Sequence, residues 1–181
     1  MATRALNATA ASLLGFLHEG PMTGWDLVAT AQQRIGNFWT LTQSQVYREL
    51  TAMAESGLVE PGEPGPRDRK PYQITAVGRA AFSEWIERDP GLEQVRFPLL
   101  LTIMFAGHLP SERLLEIIGT HRDVHADRLA SYRSLRDDLD ETAEHTEADR
   151  YRLATLDFGL RYETAVLDWF DHLPETLGHR S

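Results

Sequence analysis

The fold of this chain is decided by residues 42–75, which read TQSQVYRELTAMAESGLVEPGEPGPRDRKPYQIT. Thr42 and Gln45 have the spacing of a capping box, so a helix is predicted to begin here and to end before Gly57. The segment after this glycine contains two short strand-like runs, Leu58–Glu60 and Tyr72–Thr75. The proline- and glycine-rich residues between them must form a loop, and the two strands therefore predict a hairpin with a long tip.

Three further helices are predicted around this stretch. Apolar residues at helical spacing indicate one helix that ends before Gly20-Pro21, a second from Thr23 to about Ile35, and a fourth from Gly78 to Arg88. Three helices followed by a hairpin are typical of a winged helix-turn-helix. We therefore predict a winged helix DNA-binding domain over residues 1–88, with a two-stranded wing.

The second half of the chain is predicted to be almost entirely helical. An apolar segment from Gln94 to Ala106 is predicted to be a buried helix, because it is apolar nearly all round. A long helix from Pro110 to about Leu139 carries a heptad seam with a polar middle, and a last helix from about Ala148 to His172 carries a wide apolar stripe. The fold class is thus mainly α, with a helical dimerisation or effector domain over residues 92–181.

Composition and charge exclude several classes of function. The 181 residues include no cysteine and carry a net charge of −9, which excludes disulfide scaffolds and thiol chemistry and argues against a uniformly basic nucleic-acid coat. The first 85 residues are nearly neutral, so most of the acidic excess lies in the second half. No apolar run is long enough to span a bilayer, and we expect a cytoplasmic protein without a membrane partner.

The third helix presents a candidate reading face. Val46, Leu50 and Met53 cluster on one side at 100° per residue, and Ser44 and Arg48 point the opposite way. Arginine pairs naturally with guanine and glutamine with adenine, whereas tyrosine is equally suited to a phosphate. The candidate DNA contacts on this helix are Thr42, Ser44, Gln45, Tyr47 and Arg48. The alternative interpretation is an ordinary solvated helix face.

The hairpin tip supplies a second candidate contact with DNA. Arg67, Arg69 and Lys70 place three cations in four positions on a loop that prolines stiffen. A solvated charged turn would have the same composition. One element after a capped third helix, however, these cations are better explained as a wing that contacts the phosphate backbone.

Short motifs in this half resemble those of the PadR family of transcriptional regulators. The segment Thr23-Gly24-Trp25-Asp26-Leu27 is similar, although the family commonly has Gly-Tyr where this chain has Gly24-Trp25. The second half resembles the longer PadR subfamily, whose helical domain ends near a Leu-Asp-Trp segment, as at Leu167-Asp168-Trp169. The other motifs are Phe38-Trp39, Ser44 to Leu50, Gly57-Leu58-Val59, Gly65 to Tyr72, and Ile74-Thr75-x-x-Gly78.

The PadR resemblance implies a homodimeric winged-helix repressor or activator on an inverted-repeat operator of double-stranded DNA. It also implies that a small hydrophobic or phenolic effector releases the DNA. No motif shared with the family identifies the residues of an effector pocket in this chain. The candidate pocket residues are Trp39, Phe97, Met104, Phe158, Tyr162 and Trp169, for which an ordinary hydrophobic core is the alternative.

The enzyme and metal hypotheses receive little support. The sequence lacks a Gly-x-Ser-x-Gly motif, a phosphate-binding glycine loop and a dinucleotide fingerprint. His121 and His125 share one helix face, but a zinc site needs a third converging ligand, so a polar stretch in a helix seam is the better interpretation. We expect no cofactor, no metal and no catalytic residues. The alternative to a DNA-binding regulator is a helical module that uses its winged helix to bind a protein.

Overall fold

The computed structural model describes residues 6–36, 38–65, 69–92, 95–140 and 146–177. The chain divides into two compact units, Met1–Leu92 and Glu93–Ser181. The described elements of the first unit are α1 (Ala8–Leu17), β1 (Met22–Thr23), α2 (Gly24–Arg34), α3 (Gln43–Glu55), β2 (Val59–Pro61), β3 (Pro71–Ile74) and α4 (Ala76–Ile86). The predicted order of three helices, a hairpin and a fourth helix is confirmed.

The sheet of the first unit has one strand more than the sequence predicted. Strand β3 lies in the middle, antiparallel to β2 on one side and to β1 on the other. The predicted two-stranded wing is confirmed as β2 and β3. The additional strand β1 has no signal in the sequence because it spans just Met22–Thr23, and two residues are too few to show an alternating pattern. Strand β1 matters because it ties the start of α2 to the far end of the hairpin.

The core of the first unit lies between α1, α2 and α3 and closes against the hairpin. Leu13, Leu27, Val46 and Leu50 are fully buried there, and Val59 covers the core from β2. The buried face predicted for α3 is confirmed. Burial of these aliphatic side chains fixes the rotation of α3 about its own axis, since each removes apolar surface from water.

Threonine caps set where the helices of the first unit begin. Thr23 and Thr42 each form a complete capping box, with Asp26 and Gln45 as the respective third residues. Thr75 caps α4 by accepting from the Gly78 N–H at 3.0 Å, so α4 starts at Ala76 rather than at the predicted Gly78.

The described elements of the second unit are helices. They are α5 (Pro98–Met104), a short 3₁₀ turn (Ala106–His108), α6 (Ser111–Asp140) and α7 (Glu147–Thr176). Helices α6 and α7 pack along one another, with Leu114, Leu129 and Tyr132 of α6 buried. Leu114 and Tyr132 lie at positions of the heptad seam and are buried, whereas His121, which shares that seam, is exposed. None of the described helices is both long and apolar enough to cross a membrane.

Helix α5 departs most from the sequence prediction. It is shorter than the predicted segment, and Pro98 occupies its first turn, where a proline costs no hydrogen bond. The prediction that this segment is buried was wrong for the single chain, because Leu101 and Phe105 are exposed and Met104 is 77% exposed. An apolar pattern indicates that a surface must be covered, but it does not indicate which molecule covers it.

We predict that Gly78→Ala destabilises the first unit. A Cβ at this position would lie 2.1 Å from the Leu58 carbonyl oxygen and 2.9 Å from Ile74 Cγ1, and backbone cannot move aside as a flexible side chain would. The expected loss is about 1–3 kcal/mol of the free energy of unfolding, the usual cost of overpacking, measured by urea denaturation. Gly119→Ala is the matched control. A Cβ there meets nothing within 4 Å, so a gain of about 0.5–1 kcal/mol is expected; equal effects of the two substitutions would contradict the prediction.

Candidate nucleic-acid interface

The N-terminal turns of α3 present a polar, exposed face. Thr42 and Ser44 are exposed, and the side chain of Arg48 is 69% exposed, with its Nη2 3.9 Å from the carboxylate of the buried Glu49. At that distance the ion pair restrains the guanidinium weakly, and its donors remain available to a ligand. A capped, exposed first turn of this kind is what a helix needs in order to enter a major groove.

Gln45 is engaged in the cap rather than projecting freely. Its Oε1 accepts from the Thr42 backbone N–H at 2.8 Å and from the Thr42 hydroxyl at 3.0 Å, and the Gln45 N–H donates to Thr42 Oγ1 at 3.3 Å. A bidentate contact to adenine requires both the amide oxygen and the amide nitrogen. In the free protein only the amide nitrogen is uncommitted in this cap, so the two roles suggested by the sequence compete for one side chain.

Tyr47 lies against the first turn of α2. A Cβ on Gly24 would be 2.7 Å from Tyr47 Cε1 and 2.8 Å from Cζ, so the ring sits directly over the α carbon of this glycine. A side chain at residue 24 would overlap the ring where it now lies, so the half-exposed ring would have to move aside. The ring still leaves part of its surface exposed, and Tyr47 thus joins α3 to α2 at the edge of the exposed face.

The wing carries its described cations close to the same turn of α2. Arg67 lies outside the described residues. The Arg69 guanidinium carbon lies 4.9 Å from the ring centroid of Trp25, a cation–π distance, and Lys70 is exposed. Backbone hydrogen bonds continue the hairpin beyond the strands, from Gly62 N to the Pro71 oxygen at 2.7 Å and from Gly65 N to the Arg69 oxygen at 2.9 Å.

Trp25 is a residue whose role the sequence analysis missed. It was noted only as a departure from a family motif, and nothing in its immediate surroundings points to the wing. A signal was nevertheless available, because the segment before α2 and the segment after the wing tip both have residues suited to an antiparallel pair. Without β1 in the prediction, the register that brings Trp25 and Arg69 together could not be found.

The candidate effector residues are divided between the two units. Trp39 is an exposed residue of the first unit, whereas the others belong to the second, where Phe97, Met104 and Phe158 are exposed. Tyr162 stacks on Phe158 with ring centroids 6.3 Å apart, and burial, followed by the nearby Glu163 charge, raises the pKa of Tyr162. Trp169 packs on Phe170 at 4.9 Å. An open groove of about 490 Å³ along α7 is lined by other residues, Leu160, Arg161, Thr164, Ala165 and Asp168.

A buried charged cluster joins α6 to α7. The Glu163 side chain is only 3% exposed, and its Oε2 lies 2.5 Å from His125 Nδ1, while its Oε1 lies 3.9 Å from Arg128 Nη1. His125 also contacts the Phe170 ring, with centroids 5.8 Å apart. The histidine singled out with His121 as half of a candidate metal pair thus has a carboxylate partner on the other helix. No cluster of three or more metal-ligating side chains occurs in the part of the chain that the structure describes.

These features define a winged-helix protein with an exposed polar helix turn beside a cationic wing, the arrangement of a DNA-binding regulator. Two family models match the chain. The "Transcriptional regulator PadR-like family" model matches residues 13–84, and the "Virulence activator alpha C-term" model matches residues 95–178. The resemblance inferred from the sequence motifs is therefore confirmed: residues 13–84 form a PadR-like domain, and the proteins that the chain resembles are transcriptional regulators, a non-enzymatic class.

Known proteins similar to this chain are regulators as well. A Mycobacterium tuberculosis protein named "Probable transcriptional regulator" is 27% identical, with 92% of this chain and 95% of that protein covered. The negative transcriptional regulator PadR of Bacillus subtilis is 26% identical over 59% of this chain and 60% of that protein.

The fold is shared with solved structures over nearly the whole chain. Bacillus subtilis PadR in complex with operator DNA superposes with a TM-score of 0.78 at 21% identity, covering 94% of this chain and 98% of the other. The same protein has been solved in complex with p-coumaric acid, with a TM-score of 0.72 at 20% identity, covering 97% of this chain and all of the other, 100%. The Vibrio cholerae virulence activator AphA has a TM-score of 0.74 at 25% identity, with 94% of this chain and 98% of the other covered.

We predict that His125→Ala destabilises the second unit by about 1–3 kcal/mol, because it leaves the buried Glu163 carboxylate without its hydrogen bond. Replacing both residues together, as His125→Leu with Glu163→Leu, is expected to cost less, since no buried charge is then left unpaired. Thermal denaturation followed by circular dichroism measures both. His121→Ala, on the exposed face of the same helix, is the control and should change little. A double variant less stable than His125→Ala would contradict this account.

Proposed function

We propose that the chain is a homodimeric repressor that binds an inverted-repeat operator in double-stranded DNA. The observation that carries this proposal is the first turn of α2, where Gly24 contacts Tyr47 of α3 and Trp25 contacts Arg69 of the wing. The exposed turn of α3 and the cationic wing thus contact neighbouring residues at the start of α2. A protein of the same fold, Bacillus subtilis PadR, has been solved on its operator.

In this proposal the DNA contacts divide by chemistry. Ser44 and Arg48 meet base edges in the major groove, and Arg48 discriminates guanine. Tyr47, Arg67, Arg69 and Lys70 contact phosphates, which supplies affinity without reading sequence. Thr42 and Gln45 hold the N-terminus of α3, and Gln45 offers its amide nitrogen to a base. These contacts lie in the proposed DNA-binding domain, residues 1–88.

Dimerisation through the helical domain, residues 92–181, is supported by the exposed apolar surface of α5. Leu100, Leu101, Met104 and Phe105 are all exposed in the single chain, and a contiguous apolar surface of this kind is typical of an interface. A dimer would set two copies of α3 about 34–36 Å apart, the spacing of successive major grooves.

Repression and its release are supported by the Bacillus subtilis relative, which is named a negative regulator and has been solved with p-coumaric acid. We propose a small hydrophobic or phenolic effector for this chain. Its candidate contacts are Phe97, Met104, Phe158, Tyr162 and Trp169 of the second unit and, separately, Trp39 of the first unit. Since the proposed ligand is operator DNA, we propose that the protein acts in the cytoplasm.

We predict that substitutions on α3 reduce sequence preference and that substitutions on the wing reduce affinity for DNA of any sequence. Selection from a random duplex library should return an inverted repeat for the wild-type chain. Arg48→Ala should relax the preference at one position in each half-site, at a cost of about 1–3 kcal/mol per base contact. Arg69→Ala with Lys70→Ala should weaken binding to all duplexes alike and reduce the salt slope by about 3–4 per dimer, since each phosphate contact contributes about 0.9.

Arg113→Ala is the control for these substitutions, because it removes one cation that is 61% exposed on α6. It should change neither the selected sequence nor the salt slope. The proposal fails if the wild-type chain ignores every duplex at low ionic strength. If Arg48→Ala and the wing variant leave a protein partner bound and no duplex shifts, the alternative of a protein-binding module is favoured.

We predict that Leu101→Asp dissociates the dimer. A charge placed in a desolvated apolar interface has no partner, so the dissociation constant should rise by at least tenfold, about 1.4 kcal/mol. Sedimentation velocity at micromolar concentration measures this. Val77→Asp is the control, since Val77 is similarly exposed but lies on α4 of the first unit. A wild-type chain that is monomeric at this concentration, or a Leu101→Asp variant that remains dimeric, would contradict the prediction.

A further inference from the structure

We propose that Trp25 is a positioning residue for DNA binding: its ring holds the Arg69 guanidinium in place, so that the first turn of α2 sets where the wing lies relative to α3. The inference rests on the proposed function, since it concerns how that site is assembled. Trp25 is itself 52% exposed, so its ring lies at the surface, where it can contact the wing.

The contact follows from the strand register. Met22 is paired with Tyr72 and Thr23 with Pro71 in the antiparallel pair of β1 and β3. Helix α2 begins at Gly24, directly after β1, so this pairing sets its first turn beside the wing residues that precede Pro71. Trp25 and Arg69 meet there, with the guanidinium carbon 4.9 Å from the ring centroid.

The same turn of α2 is fixed independently of the wing. The Thr23 N–H and hydroxyl both donate to Asp26 Oδ2, at 3.0 and 2.7 Å, and the Asp26 N–H donates back to Thr23 Oγ1 at 3.2 Å. Gly24, between Thr23 and Trp25, is in contact with the Tyr47 ring. Consecutive residues of one capped turn therefore contact the recognition helix and the wing, which makes the turn a common support for both.

Stacking suits a phosphate-binding arginine. The guanidinium group is planar, and its N–H donors lie in the plane of the group, so a ring beneath its face leaves those donors free for a phosphate oxygen. Holding Arg69 in advance also reduces the side-chain entropy that would otherwise be lost when DNA binds. Lys70 is exposed and has no ring contact among the described residues, so it provides an internal comparison.

The test is a double-mutant cycle measured as affinity for the duplex that the wild-type chain selects. Trp25→Ala should weaken binding about two- to fivefold, corresponding to an exposed cation–π contact of about 0.5–1 kcal/mol, and Trp25→Phe should restore most of it. On an Arg69→Ala background Trp25→Ala should have no further effect, whereas on a Lys70→Ala background its full effect should persist. Equal effects on the two backgrounds, or no effect of Trp25→Ala, would overturn the inference while leaving the proposed function intact.

A second measurement detects the contact without DNA. The chain has four tryptophans, and replacement of Trp39, Trp85 and Trp169 by phenylalanine leaves Trp25 as the only one. Arg69→Ala should then increase acrylamide quenching of Trp25 fluorescence, because one ring face becomes uncovered, and Lys70→Ala should not. Unchanged quenching in both would reject the contact itself, even if the wild-type chain binds DNA as proposed.

Discussion

The packing of α3 against the core and against the first turn of α2 fixes the direction in which its exposed residues point. Successive helix residues are 100° apart, so burial of Val46 and contact of Tyr47 with α2 leave Arg48 no direction but outward. The exposed face of α3 is thus a consequence of what its neighbours along the chain are packed against. A side chain at residue 24 would displace the half-exposed Tyr47 ring, whereas burial of Val46 and Leu50 would hold α3 in place.

The Gln45 side chain of α3 can either stay in the capping box or contact a base, and the two roles exclude one another. If the Gln45 side chain turned toward DNA, it would lose its hydrogen bonds to Thr42, each worth about 0.5–1.5 kcal/mol, whereas the bond from the Gln45 N–H to Thr42 Oγ1 would remain. A good bidentate contact to a base is worth about 1–3 kcal/mol. In the proposed interface Gln45 is therefore a weaker determinant of sequence than Arg48, whose guanidinium has only a 3.9 Å ion pair to give up.

Local patterns predicted those parts of the fold that local interactions determine. The cap at Thr42, the buried face of α3 and the glycine at residue 57, with φ of +70°, were all predictable because each depends on residues close together in the sequence. The contact of Trp25 with Arg69 depends on a strand of two residues, and that of His125 with Glu163 joins positions on separate helices. The heptad seam placed His125 on the inner side of α6 but gave no means of identifying its partner.

Helix α5 shows a different limit of prediction from sequence. Its apolar pattern correctly indicated a surface that must be covered, yet the single chain leaves it exposed. If a second copy covers it, stability of the second unit depends on protein concentration by mass action. The proposed DNA contacts on α3 and the wing, in contrast, all lie within the first unit, where both elements contact the capped turn of α2. In the proposed dimer, an effector that binds the helical unit would then change the distance between the two copies of α3 rather than the structure of either copy. It would release DNA only to the extent that it binds more tightly to a dimer whose spacing does not match the operator.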